Sequence, residues 1–154
     1  MDYEAAIERE IHEVHTLLTH LVQSYAPGSM DHGRIPTKSF ARLRSRFDVN
    51  FPIVMPAGTM LTAQQLLVSL RAGIDPDFKI QTRVIDVAPI AGIDRAYLAV
   101  YVEWQKAARN STPRNNSRIT SAVFLPSREA PNRVIWEHGH ETWLPARAGR
   151  RRSV

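Results

Sequence analysis

The chain contains no cysteine, so it has no disulfide, no thiol nucleophile and no zinc–thiolate site. It has no apolar run approaching the ~18–20 residues that cross a bilayer. Its first residues, MDYEAAIEREIHEVH, are acidic and amphipathic and lack the basic-then-apolar order of a secretory leader. Together these absences predict a cytoplasmic protein with no membrane partner. No glycine-rich phosphate loop and no Ser–His–Asp signature occurs. The stretch His12-Glu13-Val14-His15 is one residue short of the zinc-protease pattern, which gives its histidines the wrong helical spacing.

What is present fits one soluble domain: 154 residues, 44% hydrophobic and 23% charged. The formal charge is +5, but Arg147, Arg150, Arg151 and Arg152 supply four of those five charges, leaving the body near +1. That distribution argues against nucleic acid as a partner. It divides the chain into a single domain, 1–146, and a basic tail, 147–154, expected to be disordered.

Ile7, Ile11, Val14, Leu18, Leu21 and Tyr25 recur at spacings of three and four, which predicts a helix over residues 2–24 that stops at Pro27-Gly28. A polar loop follows, then a short helix opened by Thr37 and bearing Phe40, Leu43 and Phe47. Phe47, Val49, Phe51 and Ile53 alternate as in a strand, and Pro56-Ala57-Gly58 turns it into a short partner over 59–61. Thr62 and Gln65 form a capping box for a helix with Leu66, Leu67 and Leu70 that ends near Gly73. Four strands follow, over 78–89, 95–107, 117–126 and 133–144, with turn-rich connections short enough for antiparallel neighbours. Helices followed by a meander give an α+β class.

If the turn after 107 centres near residues 110 and 111, Glu103 stands opposite Arg118, and Tyr101 opposite Thr120. If the next centres near Ala130, Thr120 faces His140, and Ala122 faces His138. One face then carries Tyr97, Ala99, Tyr101, Glu103, Gln105, Arg118, Thr120, Ala122, Phe124, Trp136, His138 and His140. The other carries Leu98, Val100, Val102, Trp104, Ile119, Val123, Leu125, Ile135 and Trp143. A bulge would break this phase. Two readings stay open: the mixed face lines a cavity and the apolar face meets a second subunit, or the apolar face is the core.

The segments Tyr101-Val102-Glu103-Trp104-Gln105, Arg118 to Phe124, Trp136 to Leu144 and Phe51 to Gly58 resemble the nuclear transport factor 2-like superfamily, in particular its SnoaL-like and uncharacterised bacterial members. The resemblance covers roughly residues 3 to 145. It implies a cone-shaped α+β barrel, with N-terminal helices packed on a strongly curved, mostly antiparallel sheet. It also implies frequent dimerisation and a pocket at the open end. It implies no one reaction, because the superfamily holds isomerases, dehydratases, cyclases and association domains.

The expected pocket comprises Tyr101, Glu103, Arg118, Thr120, His138 and His140, with Glu103, His138 and His140 the catalytic candidates. Asp48 and Asp86 are the other carboxylates considered as a base. Glu103–Arg118 reads first as a cross-strand salt bridge that pins register. His138 and His140 could transfer protons near neutral pH. No metal or cofactor is expected. His15 and His20 read as surface or helix-packing residues. The expected function is binding of a small hydrophobic or partly polar ligand by a homodimer associating through the sheet. Cofactor-free acid–base catalysis and a non-catalytic association module are the alternatives.

Overall fold

The computed structural model describes residues 1–24, 37–72, 75–109 and 111–145. The helix stop at Pro27-Gly28, the loop after it, Tyr25, Gly73 and the tail 147–154 lie outside the described residues. The elements are α1 (Tyr3–Ser24), α2 (Thr37–Arg44), β1 (Pro52–Val54), β2 (Met60–Thr62), α3 (Ala63–Ala72), β3 (Lys79–Pro89), β4 (Tyr97–Lys106), β5 (Asn116–Pro126) and β6 (Val134–Trp143). The four long strands match the predicted segments within two residues at either end. They form one sheet in the order β2-β1-β6-β5-β4-β3, antiparallel except where β1 runs parallel to β6. The helices pack on the sheet's concave side, as in a cone-shaped α+β fold.

The α1 stripe is the core's central rod. Ile7, Ile11, Val14, Leu18 and Leu21 are buried in one cluster with Ala99, Tyr101, Ala122, Phe124 and Trp136 of the sheet. Each fully buried aliphatic or aromatic side chain stabilises the fold by about 1.5–3 kcal/mol. The mixed face is therefore the inner face. Ala99 and Ala122 sit fully buried at its centre.

The predicted 47–56 strand is shorter than expected. Asp48 Oδ1 accepts the Asn50 N–H at 2.8 Å, and the Phe51 N–H donates to the Asp48 carbonyl at 3.1 Å. This Asx-type turn interrupts the alternation and leaves Val49 exposed. The segment before the turn still reaches the sheet. The Trp136 N–H donates to the Arg46 carbonyl at 3.0 Å, and the Asp48 N–H to the Trp136 carbonyl at 2.9 Å. The capping box forms as predicted: the Thr62 N–H donates to Gln65 Oε1 at 2.9 Å and the Gln65 N–H to Thr62 Oγ1 at 3.2 Å.

A buried polar cluster joins α1 to this segment and to the β5–β6 connection. Glu10 and Arg46 are both 0% exposed, and Arg46 Nη1 donates to Glu10 Oε2. Asn132 Nδ2 donates to Glu10 at 2.7 Å, and Trp136 Nε1 donates to it at 3.2 Å. Arg46 Nη2 reaches Glu13 at 2.9 Å. Burial pushes the Glu10 carboxyl up, against the Asn132 hydrogen bond and the Arg46 charge. Removing one partner strands a buried charge. Arg46→Ala should therefore cost about 3–5 kcal/mol in urea unfolding, and a loss below about 1 kcal/mol would mean that water already serves Glu10.

Candidate functional site: a cavity inside the cone

β4 and β5 pair in the predicted register, with Glu103 opposite Arg118 and Tyr101 opposite Thr120. All four side chains point inward and are buried. The predicted Glu103–Arg118 ion pair does not form, because each finds a nearer partner. Glu103 Oε2 lies 3.0 Å from His15 Nε2 on α1, and Glu103 Oε1 accepts from Gln105. Arg118 Nη1 donates to Glu141 Oε2, Nη2 to Ser111 Oγ at 2.7 Å, and Nε to Asn116 Oδ1 at 3.1 Å.

The histidine pair is the main correction. A bulge lies between Val123 and Phe124: Phe124 pairs with Trp136, but Val123 pairs with His138. The extra residue, Glu137, shifts every later side chain of β6 to the other face. His138 and His140 therefore stand on the outer face, opposite Val123 and Ser121, and His140 is exposed. Neither lines the cavity, and neither stands on the face that carries Glu103. Gly139, Glu141 and Trp143 take the inward positions, and the Trp143 ring lies 5.0 Å from the Arg118 guanidinium carbon. One signal for this was in the sequence. A glycine inside a strand marks a bulge or a close approach, and a Cβ on Gly139 would sit 3.3 Å from Ile53.

His15 is the other residue that sequence reasoning missed, although it falls inside the α1 stripe between Val14 and Leu18. Its Nδ1 lies 2.6 Å from the Ile11 carbonyl and its Nε2 faces Glu103. Both ring nitrogens meet acceptors, so both carry protons when Glu103 is ionised. Burial alone would lower the imidazole, but the hydrogen bond and charge of Glu103 raise it above its ordinary value. Burial would likewise raise Glu103, yet His15 and then Arg118 hold it below the usual carboxylate range. Both shifts favour the imidazolium–carboxylate form of the pair. Glu141 behaves differently. Burial and the nearby Glu103 charge push it up to about 7, against Arg118. Burial, then Glu103 and Glu141, raise the Tyr101 phenol well above 10, so it is a neutral donor. Thr120 sits close enough to temper that shift, but its Oγ1 makes no hydrogen bond of good geometry among the described residues.

These groups border a cavity of about 110 Å³ inside the cone. Leu18, Val22, Phe47, Phe51, Ile53 and Trp136 form its apolar wall, and Tyr101, Glu103, Gln105, Arg118 and Glu141 its polar side, with Arg109 and Ser111 beside them. Asp48 and Asp86 are not among its lining residues.

Solved structures of low sequence identity share this architecture. One of unknown function from Pseudomonas aeruginosa, described as nuclear transport factor 2-like, superposes with a TM-score of 0.64 at 20% identity, covering 90% of this chain and 98% of its own. The fold is that of the nuclear transport factor 2-like proteins. An uncharacterised Caulobacter vibrioides protein with a cystatin-like fold gives 0.62 at 17% identity, covering 91% and 88%. The calcium/calmodulin-dependent kinase II hub homology domain of Chlamydomonas reinhardtii gives 0.61 at 11%, covering 94% and 99%. No family model and no curated protein matches the sequence. The nuclear transport factor 2-like fold thus places the cavity without naming its chemistry. Among the described residues no helix is long and apolar enough to cross a membrane.

Glu141 gives a pH test. Its folded value is raised to about 7, so between about pH 4.5 and 7 the unfolded chain releases a proton that the folded chain keeps. Stability should fall with rising pH across that window, and Glu141→Gln should remove that part of the slope. Urea unfolding of both proteins at fixed pH values measures it. A constant difference between them from pH 4.5 to 7 would show that Glu141 ionises normally.

Proposed function

We propose that this protein binds a small, mostly apolar molecule bearing one polar group, held inside the cone. One observation carries the reading: an apolar cavity has polar capacity on one side that the protein does not use. Glu141 Oε2 is committed to Arg118 while Oε1 has no hydrogen bond among the described residues, and the Tyr101 phenol stands beside it on the inner face. At about 110 Å³ the cavity is smaller than the engineered apolar cavities of about 150 Å³ that hold benzene, so it suits a short chain, or a single ring that extends toward its open side. Native mass spectrometry of freshly purified protein tests the reading. A co-purified molecule in this size range, or an added one-ring ligand that raises the Tm, is expected. Leu18→Trp, which fills the cavity, should abolish either effect. Binding that survives Leu18→Trp would place the ligand elsewhere.

A second reading is cofactor-free acid–base catalysis. Glu141, not Glu103, is the group that supports it, because a carboxyl titrating near 7 can both take and return a proton. Glu103 is engaged by His15, and His138 and His140 face away. Tyr101 would donate to a developing enolate oxygen.

The reading includes a homodimer through the outer sheet face, in a cytoplasmic setting. Leu98 and Trp104 are 39% and 41% exposed, and Val100, Ile119, Val123 and Leu125 are only half-buried between them. Apolar area of this kind calls for a cover, although Ser121, His138 and His140 share the face. The resemblance to a hub domain favours association over a solvated sheet. Sedimentation should report a dimer, and Val100→Arg should give a folded monomer. A wild-type monomer at high micromolar concentration would remove this part of the proposal.

A further inference from the structure

We propose that the cavity's ligand is a small carboxylic acid, its carboxyl lodged between Arg118 and Glu141 with one proton shared by the two carboxyl groups. The inference rests on the pocket reading above and specifies its ligand. A guanidinium has five N–H donors, and Arg118 spends three, on Asn116, Glu141 and Ser111, which leaves two. The Arg118 side chain is 5% exposed, so those donors have little bulk water to turn to. Beside it, Glu141 keeps one oxygen free of hydrogen bonds among the described residues. A carboxyl group fits both: it accepts from the planar fork of an arginine and can share a proton with a neighbouring carboxylate.

Charge points the same way. His15 and Glu103 neutralise each other. The remaining charged groups of the lining are Arg118 and Arg109 against Glu141, and Arg109 also lies 3.3 Å from Asp75 outside it. An amine would add a cation beside a buried guanidinium. An alcohol would leave one arginine donor idle. A carboxylate balances the site.

The groups facing Glu141 set the response to pH. Arg118 approaches from β5, Glu103 and Tyr101 from β4, and His15 from α1, while Ile53 and Met55 on the β1 side are apolar. A ligand carboxylate brings a second negative charge to a site already shaped by burial and Glu103. The complex then retains one proton, drawn from solvent, at pH values where free Glu141 would have lost it. The apolar wall of Phe47, Phe51 and Trp136 receives the body of the acid.

Isothermal titration of the full chain with benzoate, benzyl alcohol, benzylamine and toluene from pH 5.5 to 8.5 tests the proposal. Benzoate should bind most tightly. Its affinity should fall roughly tenfold per pH unit above 7, the slope of one linked proton. Buffers of different ionisation enthalpy should register that uptake. Glu141→Gln should keep benzoate binding and lose the slope. Arg118→Gln should lose benzoate and keep benzyl alcohol; if it does not fold, the wild-type series and Glu141→Gln decide. Tighter binding of the alcohol or the amine, or a flat benzoate profile from pH 6.5 to 8.5, would overturn the carboxylic acid and leave the pocket standing. Failure of all four compounds to bind would overturn both.

Discussion

The docking of α1 is the constraint on which the rest depends. Its apolar stripe is interrupted by Glu10 and His15, two groups that cannot be desolvated alone. Glu10 is buried against Arg46, Asn132 and Trp136, and His15 against Glu103. The two sites lie more than a turn apart along the helix. Apolar contacts tolerate sliding, whereas these two pairings are satisfied together at one axial position and one rotation. The same helix supplies Val14, Leu18 and Val22 to the cavity wall, so the pairings that orient α1 also shape the cavity.

The β6 bulge is the second determinant. Before it, Trp136 faces inward, with its ring centroid 4.5 Å from that of Phe124 and 5.8 Å from that of Phe47. After it, the inward positions pass to Gly139, Glu141 and Trp143. A straight strand would have placed two imidazoles against the core. The bulge instead places a single carboxylate there, beside Arg118. The polar side of the cavity therefore combines an ion pair, His15–Glu103, with a titratable acid, Glu141. The first is a fixed part of the wall. The second retains an oxygen without a hydrogen bond among the described residues.

The shared fold accommodates proteins of unknown function and a hub domain alike, which is why the architecture carries so little functional information. The functional information in this chain is local. Charge is buried on the inner face, and apolar side chains remain on the outer one. The first suits a ligand with a polar head. The second suits a partner surface. Nothing makes the two uses exclusive, since they lie on opposite faces of the same strands.

The order of elements, the four long strands, the α3 capping box and the Glu103–Arg118 register could be read from the sequence alone. Each follows from local periodicity or from turn lengths between neighbouring strands. That Tyr101 and Thr120 share a face was legible too, but alternation left open whether that face was the inner one. The partners of the buried charges could not be read in this way. His15 and Glu103 are 88 residues apart, and Glu10 and Trp136 are 126 apart; no local pattern records such a meeting. Nor does alternation reveal where a strand gains a residue. The extra residue falls at Glu137, and that one step exchanged His138 and His140 for Glu141. The sequence determined which segments pair; packing of the curved sheet around α1 decided which side chains face the cavity.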